Sequence, residues 1–268
     1  MLMSVYKNEK TEFFKQAVDS VLSQSLQPEE IVLIRDGQVP NDLQIAIDEY
    51  IEKYPTIFTY IPLATNGGLG NALRLGVEQA RNELIARMDT DDISTPNRFE
   101  RQLEKFKEDP TLDMVGGDIF EFTVSTQEIS SVRSVPSMHE DIVERLKTRS
   151  PFNHVTVMFK KSAVLKAGNY QDFYLFEDWY LWIRMYLSGC KFANVPENFC
   201  FVRVEGMANR RGGMRYYESC KKLLKYMKKE KLINYFQYIK IKLIRFCGYV
   251  LCPNGLRAWC YKKFLRKV

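Results

Sequence analysis

The chain has 268 residues, 46% of them hydrophobic and 13% aromatic, a composition that excludes an intrinsically disordered protein. The formal net charge of +6 comes without a recognised nucleic-acid-binding module, so nucleic acid is not an expected partner. With 6 cysteines, none in a CxxC pair, and 2 histidines, a zinc site has few candidate ligands, and we expect free thiols in a reducing cytoplasm. We expect no secretory signal, because the start MLMSVYKNEK lacks a basic flank and a long apolar core. We expect no membrane-spanning helix, because no run of about 20 apolar residues occurs.

The positive charge is concentrated at the carboxyl end. After Met214 there are 15 lysines and arginines and 2 acidic residues, a net charge of +13, which leaves about −7 for residues 1–214. We therefore predict a domain over residues 1–213 and a basic amphipathic helical extension over residues 214–268. Lysines interleaved with aliphatic and aromatic residues favour attachment to an anionic membrane surface. A helix pair that packs on the domain is the alternative.

Strands and helices alternate through the amino-terminal part of the chain. Apolar and β-branched runs predict the strands, and apolar residues at helical spacing predict the helices. In chain order these segments are Leu2 to Tyr6, TEFFKQAVDSVLSQS, EIVLIRDG, a helix from Asn41, TIFTYIP, NGGLGNALRLGVEQAR and ELIARMD. This order predicts an α/β fold with a mostly parallel sheet flanked by helices, in which ligands bind at the carboxyl ends of the strands.

The later elements alternate less regularly. We predict a helix that begins at Pro96 after a cap at Ser94 or Thr95. Strands are predicted in DMVGGDIFEF and HVTVMFKK, with a helix in HEDIVERLKTR between them. FEDWYLWIRMYLSG is predicted to form a helix with an apolar face, and the chain from Met214 onward is predicted to be helical.

Three carboxylates, Asp89, Asp91 and Asp92, follow the fourth predicted strand. In an extended segment residues i and i+2 point the same way, so Asp89 and Asp91 can face one site. Their hard oxygen ligands suit Mn²⁺ or Mg²⁺. A bare DxD triplet is more often an acidic turn that caps the next helix. Its place at a strand end in an alternating α/β pattern favours the metal site.

Two further segments lie at the same predicted edge of the sheet. Asp36 ends the second strand and can accept a hydrogen bond from a nucleobase, although an ordinary Asp-Gly turn is the simpler interpretation. Asn66 and Gly68 belong to a glycine-rich turn that can bring backbone N–H groups close to a ligand. This turn matches neither GxGxxG nor a Walker loop, and a purely conformational role is the alternative.

Other candidates lie beyond the acids. Glu177 and Asp178 begin a Trp-rich helix, where a carboxylate can cap the helix or act as a general base for an acceptor hydroxyl. Arg211, in NRRGGMR, can bind a diphosphate, with a basic surface loop as the alternative. His154 is a secondary candidate, since a histidine in this setting is more often structural.

The ordered set MSVYKNE, AVDSVLSQSLQPEEIVLIRDG, NGGLGNAL, LIARMDTDD, NHVTVMFKKSAV and FEDWYLWIRM resembles family 2 inverting glycosyltransferases of the GT-A fold. The resemblance covers residues 1–210, and it is greatest to bacterial enzymes that build capsule, exopolysaccharide or O-antigen units. It implies that Asp36 contacts the base, that Asp89 faces the ribose and phosphate side, and that Asp91 binds the metal.

The same resemblance implies roles for the remaining candidates. Asp178 is similar to the catalytic base of the family, with Glu177 beside it. Val5 and Tyr6 lie where the first strand passes the nucleobase. One departure is that Arg35 stands where the family often has a second acid before the glycine, so the base contact depends on Asp36 alone.

The implied activity is a metal-dependent, inverting transfer of one sugar from a nucleotide-sugar, foremost a UDP-sugar, to a glycan acceptor. The acceptor is expected to be linked to undecaprenyl diphosphate, which places the enzyme on the inner face of the cell membrane. The QxxRW sequence of processive synthases is absent, which favours a single transfer. A sugar-phosphate nucleotidyltransferase and a non-catalytic sugar-binding relative are the alternatives. The first would show a basic, glycine-rich signature where this chain has YKNEKTE.

Overall fold

Two β-sheets joined edge to edge form the centre of the computed structural model, which describes residues 1–204, 212–253 and 255–257. The strands are β1 Leu2–Val5, β2 Ile31–Arg35, β3 Phe58–Pro62, β4 Leu84–Ala86, β5 Ile93–Ser94, β6 Met114–Phe122, β7 Ile129–Arg133, β8 Met158–Lys160 and β9 Phe192–Arg203. The helices are α1 Thr11–Leu22, α2 Asn41–Lys53, α3 Leu69–Gln79, α4 Arg98–Glu108, α5 His139–Leu146, α6 Lys161–Lys166, α7 Glu177–Leu187, α8 Gly213–Lys229 and α9 Tyr235–Phe246.

The first sheet is parallel and the second is mixed. Strands β1, β2 and β3 pair in parallel, and a parallel bridge between Leu2 and Arg87 joins β1 to the end of β4. The second sheet has the order β4-β8-β6-β9-β5, with β7 on β6. Its β6–β9 pair is parallel, and its other pairs are antiparallel. The predicted α/β class is confirmed, and parallel pairing occurs both in the first sheet and between β6 and β9 of the second.

The first sheet is buried on both faces. Leu2 and Ile34 lie in one core with α3 and α7, while Met3 and Leu33 lie in another core with α1 and α2. This alternation follows the period of two along a strand. Burial on both faces explains why EIVLIRDG is a continuous apolar run. The two helical layers therefore leave only the ends of these strands available for a site.

The carboxyl-terminal helices contact the rest of the chain unequally. One face of α8 belongs to the core around α7, with Cys220, Leu224 and Met227 buried. In α9 the one buried side chain is Tyr238, and Phe236 is 82% exposed. Within the described part of the chain, no helix is both long enough and apolar enough to cross a membrane. The division into residues 1–213 and 214–268 stays a prediction.

Among the predicted element boundaries, the starts of α4 and β8 were wrong. Helix α4 begins at Arg98 rather than at Pro96, because Ser94 pairs with Cys200 in a short strand and the Thr95 N–H donates to the Phe199 carbonyl. In HVTVMFKK, residues His154–Thr156 form a 3₁₀ turn, and only Met158–Lys160 is a strand. Strands β5, β7 and β9 and helix α6 had no counterpart in the predicted elements.

Candidate active site

The acidic loop after β4 is held against the end of β1. Thr90 is buried, and its hydroxyl donates to the Glu9 carboxylate at 2.6 Å and lies 3.2 Å from the Ser4 carbonyl oxygen. Thr90 and Asp91 belong to a turn after β4, and Thr90 is buried whereas Asp89 and Asp91 are partly exposed. Both of these aspartates line one cleft of about 220 Å³.

Asp89, Asp91 and Asp92 form an acid triad whose carboxylate oxygens lie within 4.8 Å of one another. Arg203, at the end of β9, fixes two of them: its N–H donates to the Asp92 carboxylate at 3.0 Å, and its Nε donates to the Asp91 carbonyl at 2.8 Å. Burial raises the pKa of Asp92 well above its usual range, and the charges of Asp91 and Asp89 add to this shift. A cation relieves such a cluster, and this oxygen donor set fits a hard divalent ion.

The Glu177–Asp178 pair lines the same cleft as the triad. Both residues stand in the first turn of α7, and the Ser150 hydroxyl donates to Asp178 Oδ2 at 3.4 Å. The indole of Trp179 donates to the Leu146 carbonyl at 2.9 Å, and Trp182 is fully buried. The tryptophans of this helix therefore anchor it in the core.

Burial raises the pKa of Glu177 to about 7, with a further contribution from the charge of Asp178. The folded protein therefore holds a proton on Glu177 between pH about 4.5 and about 7, where the unfolded chain has released it. Across this window the stability of the wild type falls as the pH rises.

Glu177→Gln is expected to stabilise the protein above pH 7, by up to about 3 kcal/mol, because the amide is never charged. The gain should shrink as the pH falls from about 7 towards about 4.5. Urea unfolding across this range, in EDTA and without nucleotide, measures it. Glu144→Gln, at a glutamate that is 71% exposed, is the control and should show no such pH dependence. A gain that is equal at every pH contradicts a buried, titrating Glu177.

Asp36 is bonded to the glycine-rich turn. Its carboxylate is 3% exposed and accepts hydrogen bonds from Asn66 Nδ2 at 3.0 Å, the Gly67 N–H at 2.7 Å and the Gly68 N–H at 3.0 Å. The N–H of Asp36 donates to the Val5 carbonyl at 2.8 Å. Gly68 has a φ of +85°, in the left-handed region that favours glycine. Four predicted residues, Val5, Asp36, Asn66 and Gly68, thus lie together.

This group adjoins the cleft, because Leu69 follows Gly68 directly and lines it. Tyr6 follows Val5 at the end of β1 and is 40% exposed. The predicted contact between Asp36 and a nucleobase stays a prediction. A nucleobase N–H that donates to this carboxylate would do so alongside the hydrogen bonds from Asn66, Gly67 and Gly68.

Of the two remaining candidates, His154 and Arg211, the structure places only His154 in the cleft. His154 lines the cleft, with its Nε2 2.9 Å from the Tyr170 hydroxyl oxygen. Burial, with a smaller effect of the Arg87 charge, lowers the pKa of His154 well below its usual range. The imidazole is therefore neutral at physiological pH and bonded to a buried tyrosine. Arg211 lies outside the described residues.

Comparison with known proteins identifies the family. A family model described as Glycosyl transferase family 2 matches residues 2–168, which is more than half of the chain. The chain belongs to glycosyl transferase family 2. A Haemophilus influenzae relative named as an uncharacterized glycosyltransferase is 36% identical over 268 residues, which cover 100% of this chain and 98% of that protein. An Escherichia coli relative is 32% identical over 268 residues, covering 100% of this chain and 96% of that protein. Its name is UDP-Gal:alpha-D-GlcNAc-diphosphoundecaprenol beta-1,3-galactosyltransferase.

The fold of this family 2 glycosyltransferase is similar to that of Staphylococcus aureus TarS. The crystal structure of TarS residues 1-349 in complex with UDP-GlcNAc has a TM-score of 0.68 and 16% sequence identity, and the match covers 97% of this chain and 74% of that chain. The predicted GT-A fold is confirmed by this likeness.

The cleft of this family 2 glycosyltransferase also contains residues that the sequence pattern did not indicate, among them Arg87, Glu121, Arg133 and Arg203. Arg87 is 1% exposed and its guanidinium pairs with Asp89. A charged residue inside the apolar run LIARMD is the signal that could have indicated it, since arginine is rarely buried without a partner. Arg203 has no local signal, because its partners lie 111 and 112 residues earlier.

Proposed function

We propose that this protein transfers a single sugar from a UDP-sugar to a hydroxyl of a glycan acceptor, with inversion at the anomeric carbon. The observation that carries the proposal is the presence of the acid triad and the Glu177–Asp178 pair in one cleft. An inverting displacement needs the nucleophile and the leaving group on opposite faces of the reacting carbon. A base and an anchor for the diphosphate in one cleft meet this need.

In the proposed reaction the acceptor oxygen attacks the anomeric carbon while Asp178 takes the hydroxyl proton. A new C–O bond forms as the bond from the anomeric carbon to the β-phosphate oxygen breaks. The electron pair of the broken bond leaves with UDP, and Asp178 later releases its proton to solvent. Back-side attack converts an α-linked donor into a β-glycoside.

The triad is the proposed holder of a divalent cation, Mn²⁺ or Mg²⁺. Asp91 is assigned as its main ligand and Asp89 as a second one on the ribose and phosphate side. When bound, such an ion supplies positive charge that stabilises the negative charge on the departing diphosphate. Arg87 keeps the Asp89 carboxylate in place from beneath, since its guanidinium is buried and paired with that residue.

The proposed donor and the proposed role in polysaccharide synthesis are inferred from the names of relatives. The Escherichia coli relative is named for a UDP-linked donor and a diphosphoundecaprenol-linked acceptor, and an Erwinia amylovora relative, 36% identical over 220 residues, is named as an amylovoran biosynthesis glycosyltransferase. We infer by analogy a lipid-linked glycan acceptor and a role in bacterial surface polysaccharide synthesis.

Nucleotide release from a panel of nucleotide-sugars in Mn²⁺ tests the proposal. One UDP-sugar should be hydrolysed slowly, and release should accelerate when a lipid-diphosphate-linked sugar acceptor is added. If the protein binds UDP but releases nucleotide from no member of the panel, a non-catalytic sugar-binding protein is favoured instead.

We also propose that α8 and α9 attach the protein to the cytoplasmic face of the membrane. Helix α9 exposes both apolar and basic side chains: Phe236 is 82% exposed, Leu243 is 58% exposed, and Lys240 is exposed between them. Aromatic and aliphatic groups can enter the lipid interface while lysines meet anionic headgroups, each contributing on the order of 1 kcal/mol.

Phe236→Asn is expected to reduce co-sedimentation with anionic liposomes at low salt, because it removes the most exposed aromatic group of α9. Ile45→Asn, at a residue of α2 that is 57% exposed, is the matched control and should bind as the wild type does. Point variants are preferable to truncation before Met214, since α8 supplies buried core residues. Wild-type protein that stays in the supernatant with anionic vesicles contradicts the attachment.

A further inference from the structure

A second cavity, which we call the helix groove, opens beside the cleft. It measures about 560 Å³ and lies between residues 144–150, the start of α7, and helices α8 and α9. Arg133, Leu175 and Asp178 line both the cleft and the helix groove. The two cavities therefore adjoin each other at the proposed base, whereas Glu177 lines only the cleft.

The helix groove is strongly basic. Its positively charged lining residues are Arg133, Arg145, Lys147, Arg149, Lys240 and Arg245. The acids that line it are Asp178 and Glu144, and Glu144 is paired with Lys147 at 2.6 Å. This excess of cations suits a ligand with several negative charges, and guanidinium groups suit phosphate oxygens in particular.

Apolar side chains also line the helix groove. Trp179 and Ile241 line the helix groove together with Tyr216 and Tyr249, whose rings meet edge to face with centroids 4.7 Å apart. Ile244, on the outer side of α9, also lines it and is 59% exposed. A ligand that matches both properties has an anionic head and a hydrocarbon chain.

The helix groove is formed before any ligand enters it. The Arg245 guanidinium donates to the Thr148 carbonyl through Nη2 and to the Tyr249 hydroxyl through Nη1, each at 2.5 Å. The bond to Thr148 joins α9 to the segment after α5, and the bond to Tyr249 holds the turn that follows α9. A preformed site avoids the free-energy cost of ordering its walls on binding.

We propose that the helix groove binds the diphosphate and the first part of the hydrocarbon chain of a lipid-linked sugar acceptor. The inference rests on the proposed function, because it assigns the acceptor side of the same site. The sugar attached to the diphosphate reaches Asp178 at the junction, while the donor diphosphate lies on the triad in the cleft. The exposed apolar face of α9 lies where the chain leaves for the membrane.

Direct binding of farnesyl diphosphate tests the proposal, with the donor site filled by UDP and Mn²⁺. Farnesol and inorganic pyrophosphate are the comparison ligands, since each carries one half of the predicted recognition. Two matched pairs of variants share helix α9: Lys240→Glu with Lys242→Glu, and Ile244→Asn with Leu243→Asn. Lys240 and Ile244 line the helix groove, whereas Lys242 and Leu243 do not, although Leu243 and Ile244 are 58% and 59% exposed.

We expect farnesyl diphosphate to bind more tightly than either comparison ligand. Lys240→Glu and Ile244→Asn should each weaken its binding, by about 10-fold or more for the charge reversal, and their partners should not. UDP affinity should be the same in all five proteins. If the two variants of a pair weaken the binding of farnesyl diphosphate equally, the helix groove is not its site. The same conclusion follows if the protein binds farnesyl diphosphate only when the ligand is presented in anionic vesicles. If the wild-type protein does not bind UDP, the proposed function is contradicted instead.

Discussion

Asp178→Asn is expected to lower the transfer rate by at least about 100-fold, the usual effect of losing a general base. The amide keeps the size and the polar character of the side chain, so the first turn of α7 and the affinity for UDP should be preserved. Asp178 also borders both the cleft and the helix groove, where an acceptor hydroxyl and a donor anomeric carbon can meet. Single-turnover transfer together with calorimetric titration of UDP separates the two effects.

Glu177→Gln is the matched control for this experiment, because it makes the same chemical change at the neighbouring carboxyl. It should retain most of the transfer activity, since Glu177 does not border the helix groove. If Glu177→Gln is inactive and Asp178→Asn is close to wild type, the assignment of the base within the pair is reversed.

Asp91→Asn should abolish the metal dependence of UDP binding. A neutral amide oxygen is a weaker ligand for a hard cation than a carboxylate, and the variant leaves the triad with one fewer charge to neutralise. The fold should survive, because the bond that Arg203 makes to residue 91 uses the backbone carbonyl. Calorimetry of UDP with Mn²⁺ and with EDTA measures the effect, and near-ultraviolet circular dichroism checks the fold.

Asp48→Asn, at an exposed aspartate of α2 that does not line the cleft, is the control and should bind UDP as the wild type does. Two results count against a metal ligand at Asp91. One is unchanged UDP affinity in Asp91→Asn with Mn²⁺, and the other is unchanged affinity of the wild type after EDTA.

The features that the sequence indicated correctly are local in the chain. The continuous apolar run over β2 and the helical spacing of α1 each lie within a dozen residues, so period and composition are enough to find them. The acidic loop was located because it follows β4 directly. The GT-A fold was predicted from the order of several motifs along the chain, and no single motif was enough to predict it.

The features that were not indicated depend on distant partners. Strand β9 contains Pro196 and polar residues and pairs with β6 across register shifts, so it lacks the period of a regular strand. The Asp36 carboxylate accepts its hydrogen bonds from residues 30 to 32 positions later, and its sequence context shows only an Asp-Gly turn. The helix groove exists only because α8 and α9 return to the start of α7.

The bonds from Arg203 to the acid triad have a consequence for biosynthesis. A chain made from its amino terminus releases Asp91 and Asp92 from the ribosome more than a hundred residues before Arg203, which lies 111 residues after Asp92. Until β9 emerges, neither acid has the bond that fixes it, and the like charges of the triad favour an open loop. A nascent or prematurely terminated chain therefore lacks the bonds that Arg203 makes to Asp91 and Asp92, although the partners of Thr90, Ser4 and Glu9, have already been made. The capacity to consume a nucleotide-sugar arises only once most of the protein has been made.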